Sequence, residues 1–242
     1  MIHGGEYAPS NEYIFSSHSS SSTVGLRNTV RMIEEKGLQV AQNGGQLTLK
    51  GIFVDEDLFK RVCNKVLSSD GSRDVGYRLE MINNEIILTE CPGLAHERIA
   101  QIFNMELMRT FYMNPYIPDG STRWNFGASS VEPDACCSNF RVPVAQRRLD
   151  ADGKQLPDIV LEVGRTQTYQ SLFGRPAVYF SSGAYYPGVK AVVLVKLVGQ
   201  DQLVAVVYRR HADGTHGPSA AVSFGRRLHV CYVIVLCSFL ND

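Results

Sequence analysis

The sequence predicts an α/β fold, a mixed β-sheet flanked by helices, on three observations. The run Ile159-Val160-Leu161-Glu162-Val163 is dense enough in aliphatic residues to read as a central strand buried on both faces. Two more apolar runs, Val192 to Val198 and Leu203 to Tyr208, follow it across the turn signal Gly199-Gln200-Asp201-Gln202. Ahead of these strands lie segments with apolar residues at helical spacing, notably Leu58, Phe59, Val62, Val66 and Leu67, then Ile99, Ile102, Phe103, Leu107 and Phe111. Residues 51 to 227 are expected to hold this fold.

Residues 1 to 50 read as a poorly ordered extension, because its first part carries Ser16, Ser17 and Ser19 to Ser22 with few aliphatic residues. Within it only a short helix, Val30 to Lys36, and a strand starting at Gln46 and ending at Phe53 stand out. Asp55 is an N-cap for the helix that follows. Asn83-Asn84 between Arg78–Ile82 and Glu85–Thr89 is a tight hairpin signal. Pro92-Gly93 lets a long helix begin near Ala95.

Residues 128 to 138 are expected to form one strand beside 157 to 163, with the polar stretch 141 to 156 connecting them around Asp152-Gly153. Pro176, directly after Arg175, predicts a helix that starts at this point. Tyr185-Tyr186-Pro187-Gly188 reads as a turn, and Arg209-Arg210-His211 as a solvated charge run. Residues 228 to 240 are mainly apolar but number thirteen, short of the about 20 that span a bilayer. They suit a last core strand, a buried edge or an aggregation-prone end.

Formal net charge is zero, with 24 basic and 24 acidic residues, so no global polycation marks a nucleic-acid binder. Residues 1 to 122 hold 11 basic and 15 acidic side chains; residues 123 to 242 hold 13 and 9, a mild positive excess in the second half. The six cysteines have no CxxC spacing, and the adjacent Cys136 and Cys137 would point to opposite faces of a strand, which argues against shared zinc. With no secretory signal and no membrane span in the sequence, reduced thiols in an intracellular protein, cytoplasmic or nuclear, are expected.

Glu162 is the residue that a buried strand should not contain. An ionised carboxylate there costs several kcal/mol unless it is paired. Asp158, four residues earlier, lies roughly 13 Å away along the strand, too far to share one cation. Asp134, in Val131-Glu132-Pro133-Asp134-Ala135, can lie beside Glu162 if its strand is the neighbour. Two carboxylates with open positions suit Mg²⁺ (or Mn²⁺), which prefers oxygen ligands and keeps waters and phosphate oxygens in its shell. The structural alternative is that Asp134 caps a strand and Glu162 pairs with an Arg.

The ordered set of motifs from 77 to 210 resembles the Uma2-like restriction endonuclease family of the PD-(D/E)XK nuclease superfamily. Leu79-Glu80-Met81-Ile82-Asn83-Asn84-Glu85-Ile86 resembles its opening hairpin, and Pro92 to Ile99 the start of its long helix, which often carries a His. Pro133-Asp134 looks like its "PD" element and Pro157 to Val163 like the strand with the second acid. Tyr179 and Gly183 match the next helix, and Ala191 to Leu197 the next strand. The resemblance implies a restriction-endonuclease-like fold and Mg²⁺-dependent cleavage of DNA. Asp134 and Glu162 would be metal ligands with the Val163 carbonyl, Glu80 an additional acid, and His96 a site residue at the helix start. Glu80 could equally face water, His96 could cap or pack, and Glu97 has a sufficient explanation in the helix dipole.

Two departures count against catalysis. The superfamily's Lys two residues after the second acid is Gly164 here, and the position to which relatives move it, four before Tyr179, is Arg175. Arg can offset phosphate charge but cannot act as a base. Lys196 is a fallback cation, with a solvent-facing side chain as its ordinary state. Trp124 with Arg123, Phe126, Tyr112 and Tyr116 could stack on bases, although core or rim packing explains them as well. The rivals to a nuclease are a catalytically inactive relative that binds nucleic acid or protein, and an interaction module with no nucleic acid. Oligomeric state is not legible.

Overall fold

The computed structural model describes residues 23–66, 76–91, 93–110, 116–120, 122–126, 129–150, 152–180, 189–199, 202–211, 213 and 215–224. The serine-rich start, the apolar tail, Gly183 and the turn 185–188 lie outside them. The chain divides into two compact units, residues 1–91 and 92–242. That boundary falls inside the segment expected to fold as one piece.

The first unit contains α1 (Thr23–Asn43), β1 (Gln46–Phe53), α2 (Glu56–Val66), β2 (Tyr77–Ile82) and β3 (Glu85–Glu90). Residues 23–50 are therefore not a loose extension. Leu26, Val30, Ile33, Gly37 and Val40 recur at spacings of four and three, and Ile33, Val40 and Leu49 join Phe59, Val62, Leu79, Met81 and Leu88 in one core. Gly37 sits inside α1 because the Tyr77 ring lies flush against it: a Cβ at 37 would stand 2.2 Å from Tyr77 Cζ. Asp55 caps α2 as expected, its Oδ1 accepting the Leu58 N–H at 2.7 Å. β3 pairs antiparallel with β1 and β2. Asn83 and Asn84 turn the hairpin with φ of 51° and 65°, the left-handed pair that such a turn requires.

The second unit contains α3 (Leu94–Thr110), β4 (Tyr116–Gly120), β5 (Trp124–Phe126), β6 (Ser129–Val131), β7 (Ala135–Asn139), β8 (Ile159–Gly164), α4 (Tyr169–Phe180), β9 (Ala191–Val198), β10 (Gln202–Arg210) and β11 (His216–Phe224). Its sheet runs β11-β10-β9-β8-β7-β4, parallel only at β8–β9 and antiparallel elsewhere. The architecture is thus mixed α/β, as the sequence predicts. β8 and β9 can be parallel because α4 carries the chain back between them. The expected single strand 128–138 is two strands, broken at Glu132-Pro133-Asp134, where proline has no N–H for a ladder.

Every residue of β8 is buried. Ile159, Leu161 and Val163 pack with Ile99, Ala100 and Phe103 of α3 on one face. The alternation of a strand turns Val160 and Glu162 to the other face, toward α4. Ile102, expected in the stripe of α3, is 41% exposed.

α4 does not start at Pro176 but runs through it from Tyr169. Leu172, Arg175, Pro176, Tyr179 and Phe180 are all buried, and this packing outweighs the hydrogen bond that proline cannot make. Among the described residues no helix is long and apolar enough to cross a membrane.

Candidate functional site

Glu162, 3% exposed, accepts two hydrogen bonds from Arg175 on a single oxygen: Nε to Oε1 at 3.1 Å and Nη2 to Oε1 at 2.9 Å. The Tyr179 hydroxyl donates to the same Oε1. Arg175 and Tyr179 stand four residues apart on α4, so one helical face delivers both donors to β8. The cost of burying the carboxylate is offset by a charge-assisted pair and a phenol.

Asp134 lies one residue before the first paired position of β7, where Ala135 faces Leu161. Its N–H donates to the Leu161 carbonyl at 3.1 Å. Its Oδ2 accepts the N–H of Val163 at 2.6 Å and meets His96 Nε2, at the start of α3, at 2.7 Å. The carboxylate therefore rests on the amide of the residue following Glu162, and both acids come to one end of β8. Each already has a partner there. A strand-capping aspartate and a glutamate held by arginine, the features of the structural alternative, are both present. His96 is buried, and its Nδ1 has no hydrogen-bond partner among the described residues.

The remaining candidates separate. Glu80 belongs to β2 of the first unit and is 2% exposed, so it does not face water. Glu97 is exposed in the first turn of α3. Lys196 is not a solvent-facing lysine: it is buried, and its Nζ donates to the carbonyls of Arg165 at 2.7 Å and Gln167 at 2.5 Å. It thereby ties down the loop between β8 and α4. Asp158, at the other end of β8, pairs with Lys190 at 2.8 Å and accepts the Asn139 N–H at 2.7 Å. Trp124 is buried, its Nε1 donating to the Gln155 carbonyl at 3.1 Å, and offers no stacking surface. Arg210 is not simply solvated; it donates to the Phe180 carbonyl at 3.1 Å.

Sequence reasoning missed the part played by Tyr179 and the burial of Glu132, which is 2% exposed and reaches Arg123 Nη2 at 3.4 Å. The spacing of four from Arg175 was the available signal for the first. The second has none, since Glu132 precedes a proline in a stretch that reads as strand or loop. Cys136 and Cys137 are buried and unpaired, and burial pushes both thiols up, Cys136 well above the ordinary range.

Among the described residues no three His, Cys, Asp or Glu side chains are grouped so as to hold a metal ion. Any cation here would rest on two carboxylates and complete its shell from elsewhere. That donor set suits a hard, water-retaining ion such as Mg²⁺ or Mn²⁺ and not a closed zinc site.

No family model and no curated protein matches the sequence. Among solved structures, a 1.96 Å crystal structure from Anabaena variabilis ATCC 29413, of "a putative nuclease belonging to DUF820", is similar to this chain at 16% identity and a TM-score of 0.42. The match covers 61% of this chain and 76% of that one. Likeness at this distance carries no activity across.

Proposed function

We propose that the second unit is a divergent restriction-endonuclease-like domain, related to Uma2-like proteins, that hydrolyses phosphodiester bonds of DNA with Mg²⁺ or Mn²⁺. The observation that carries this reading is the seating of the Asp134 carboxylate on the Val163 amide, one residue beyond Glu162. In it, Asp134 and Glu162 hold the ion, with the Val163 carbonyl as a further oxygen. The ion, when bound, would supply Lewis acidity and an activated water. His96 fixes the rotamer of Asp134 by its Nε2 contact. Arg175 stays charged at any working pH; it holds Glu162 and stands in for the missing lysine as an offset to phosphate charge, without serving as a base.

The second reading is an inactive relative that binds nucleic acid or protein. It is favoured by the partners that both acids already have, because a metal must then share Glu162 with Arg175 and Tyr179. The two separate in one experiment. Divalent-metal-dependent cleavage of plasmid DNA is measured for the wild type, Asp134→Asn and Glu162→Gln, alongside calorimetric titration with Mn²⁺. The nuclease reading expects cleavage and metal binding in the wild type and loss of both in the variants. A folded wild type that neither binds Mn²⁺ nor cleaves would overturn it.

A further inference from the structure

We propose that Tyr169 and Phe173, on the outer side of α4, form a stacking platform for an unpaired base of the nucleic acid. The assignment deepens the nuclease reading, from which it takes DNA as the polymer, and names DNA with unpaired bases as the substrate class.

α4 opens at Tyr169, five residues after β8 closes at Gly164, at the end of β8 that carries Glu162. Its inner face is Leu172, Arg175, Pro176, Tyr179 and Phe180, all buried. Tyr169, 46% exposed, and the half-buried Phe173 stand one turn apart outside that face. Their ring centroids are 5.7 Å apart and the planes are inclined by 31°, an offset aromatic pair. Beside Phe173 the surface is open: a Cβ on Gly174 would meet nothing within 4 Å.

The pair is fixed in place. Thr168 Oγ1 accepts the Ser171 N–H at 3.1 Å and caps α4. Lys196 holds the carbonyls of Arg165 and Gln167, and its Nζ stands 5.7 Å from the centre of the Tyr169 ring. A ring held this way has little freedom left to lose when a base stacks on it.

An isolated exposed aromatic residue needs no explanation. This pair differs in its electrostatic setting. From Val163 to Gln200 the chain carries Arg165, Arg175, Lys190 and Lys196 and no Asp or Glu. Arg175 is matched by Glu162 and Lys190 by Asp158. The exposed Arg165 stands in the loop that leads to the rings, and Lys196 stands against Tyr169 with its ammonium on neutral carbonyls. Aromatic faces set among cations are what a single strand binds, its bases stacking while its phosphates meet the charge. Duplex DNA keeps its base faces inside and offers none to the ring.

The test uses the full chain without metal, so that binding is read apart from cleavage. The probe is a fluorescein-labelled thymidine oligonucleotide of about 12 nucleotides, followed by anisotropy. Tyr169→Ala should weaken binding about tenfold, Tyr169→Phe should bind as the wild type does, and Phe173→Leu should fall between. A strand of the same length with abasic sugars keeps every phosphate, and the wild type should bind it about as weakly as Tyr169→Ala binds the thymidine strand. Salt dependence should be the same in the wild type and Tyr169→Ala, because the ring neutralises no phosphate. Equal affinity for the thymidine and abasic strands, or unchanged binding in Tyr169→Ala, would overturn the platform. So would an equal loss by Tyr169→Ala on a duplex of the same length, which would give Tyr169 a structural role instead. A wild type that stacks the strand without cleaving plasmid DNA keeps the platform and loses the nuclease reading; one that cleaves without base-dependent binding loses the platform alone.

Discussion

Arg175 binds Glu162 through two nitrogens that converge on one carboxylate oxygen, at 3.1 and 2.9 Å, and both side chains are more than nine-tenths buried. Here the Tyr179 hydroxyl joins the same oxygen, so three donors share it.

Removing one partner of this pair leaves the other charge uncompensated. Arg175→Met is expected to lower unfolding free energy by about 3–5 kcal/mol, and the double variant Arg175→Met/Glu162→Leu to recover much of that loss. Urea unfolding of the single and double variants measures it. Additive losses would mean that the pair is not coupled.

Gly37→Ala should destabilise the first unit although alanine favours helices. The new methyl would stand 2.2 Å from the Tyr77 ring, and the ring or α1 must move. A cost of about 1–3 kcal/mol is expected from such overpacking, and Gly37→Ala/Tyr77→Leu should recover part of it. Thermal unfolding of the two variants checks both statements.

Lys196→Met should free the loop between β8 and α4 while leaving the strands intact, because its ammonium is what engages the carbonyls of Arg165 and Gln167. Hydrogen exchange at residues 165–168 should accelerate, with little change in β8 and β9. Uniform acceleration across the sheet would assign Lys196 a global packing role instead.

Stability should fall in alkali. Burial, helped by Glu34, pushes the Tyr77 hydroxyl up to about 12 from 10.0. As pH rises past 10 the unfolded chain loses this proton first, so the stability present at lower pH is lost progressively until the folded state also ionises. The buried thiols Cys136 and Cys137 act in the same direction from about pH 9 upward. Tyr77→Phe should flatten the decline between pH 10 and 12 in denaturant midpoints measured across that range.

Much of the sheet was legible because its signals are local. Asn83-Asn84 dictates its own turn, Asp55 its own cap, and the aliphatic density of residues 159–163 marks a central strand. That Asp134 and Glu162 need partners was legible too, since acids in apolar surroundings cannot stay bare, and each has its own: His96 and the Val163 amide for Asp134, Arg175 and Tyr179 for Glu162. The partners were harder to read. Pro176 argues locally for a helix start, and only the tertiary anchoring of Arg175 and Tyr179 on Glu162 shows why α4 continues through it. Lys196 reads as a surface lysine because the loop carbonyls that receive it belong to residues about thirty positions earlier. α1 was obscured by the serine-rich residues before it and by Gly37, whose reason is the Tyr77 ring.

The proline inside α4 has a practical consequence. With no N–H at 176, the carbonyl of Leu172 loses its usual mate, and this weak spot lies between the two residues that grip Glu162. The glutamate is therefore also the peg on which that helix hangs. Truncating it to alanine would confound loss of chemistry with unwinding of the helix, whereas glutamine keeps a carbonyl for Tyr179 and Arg175 to hold. Helical content should be compared between the two substitutions before any loss of activity is attributed to the missing charge.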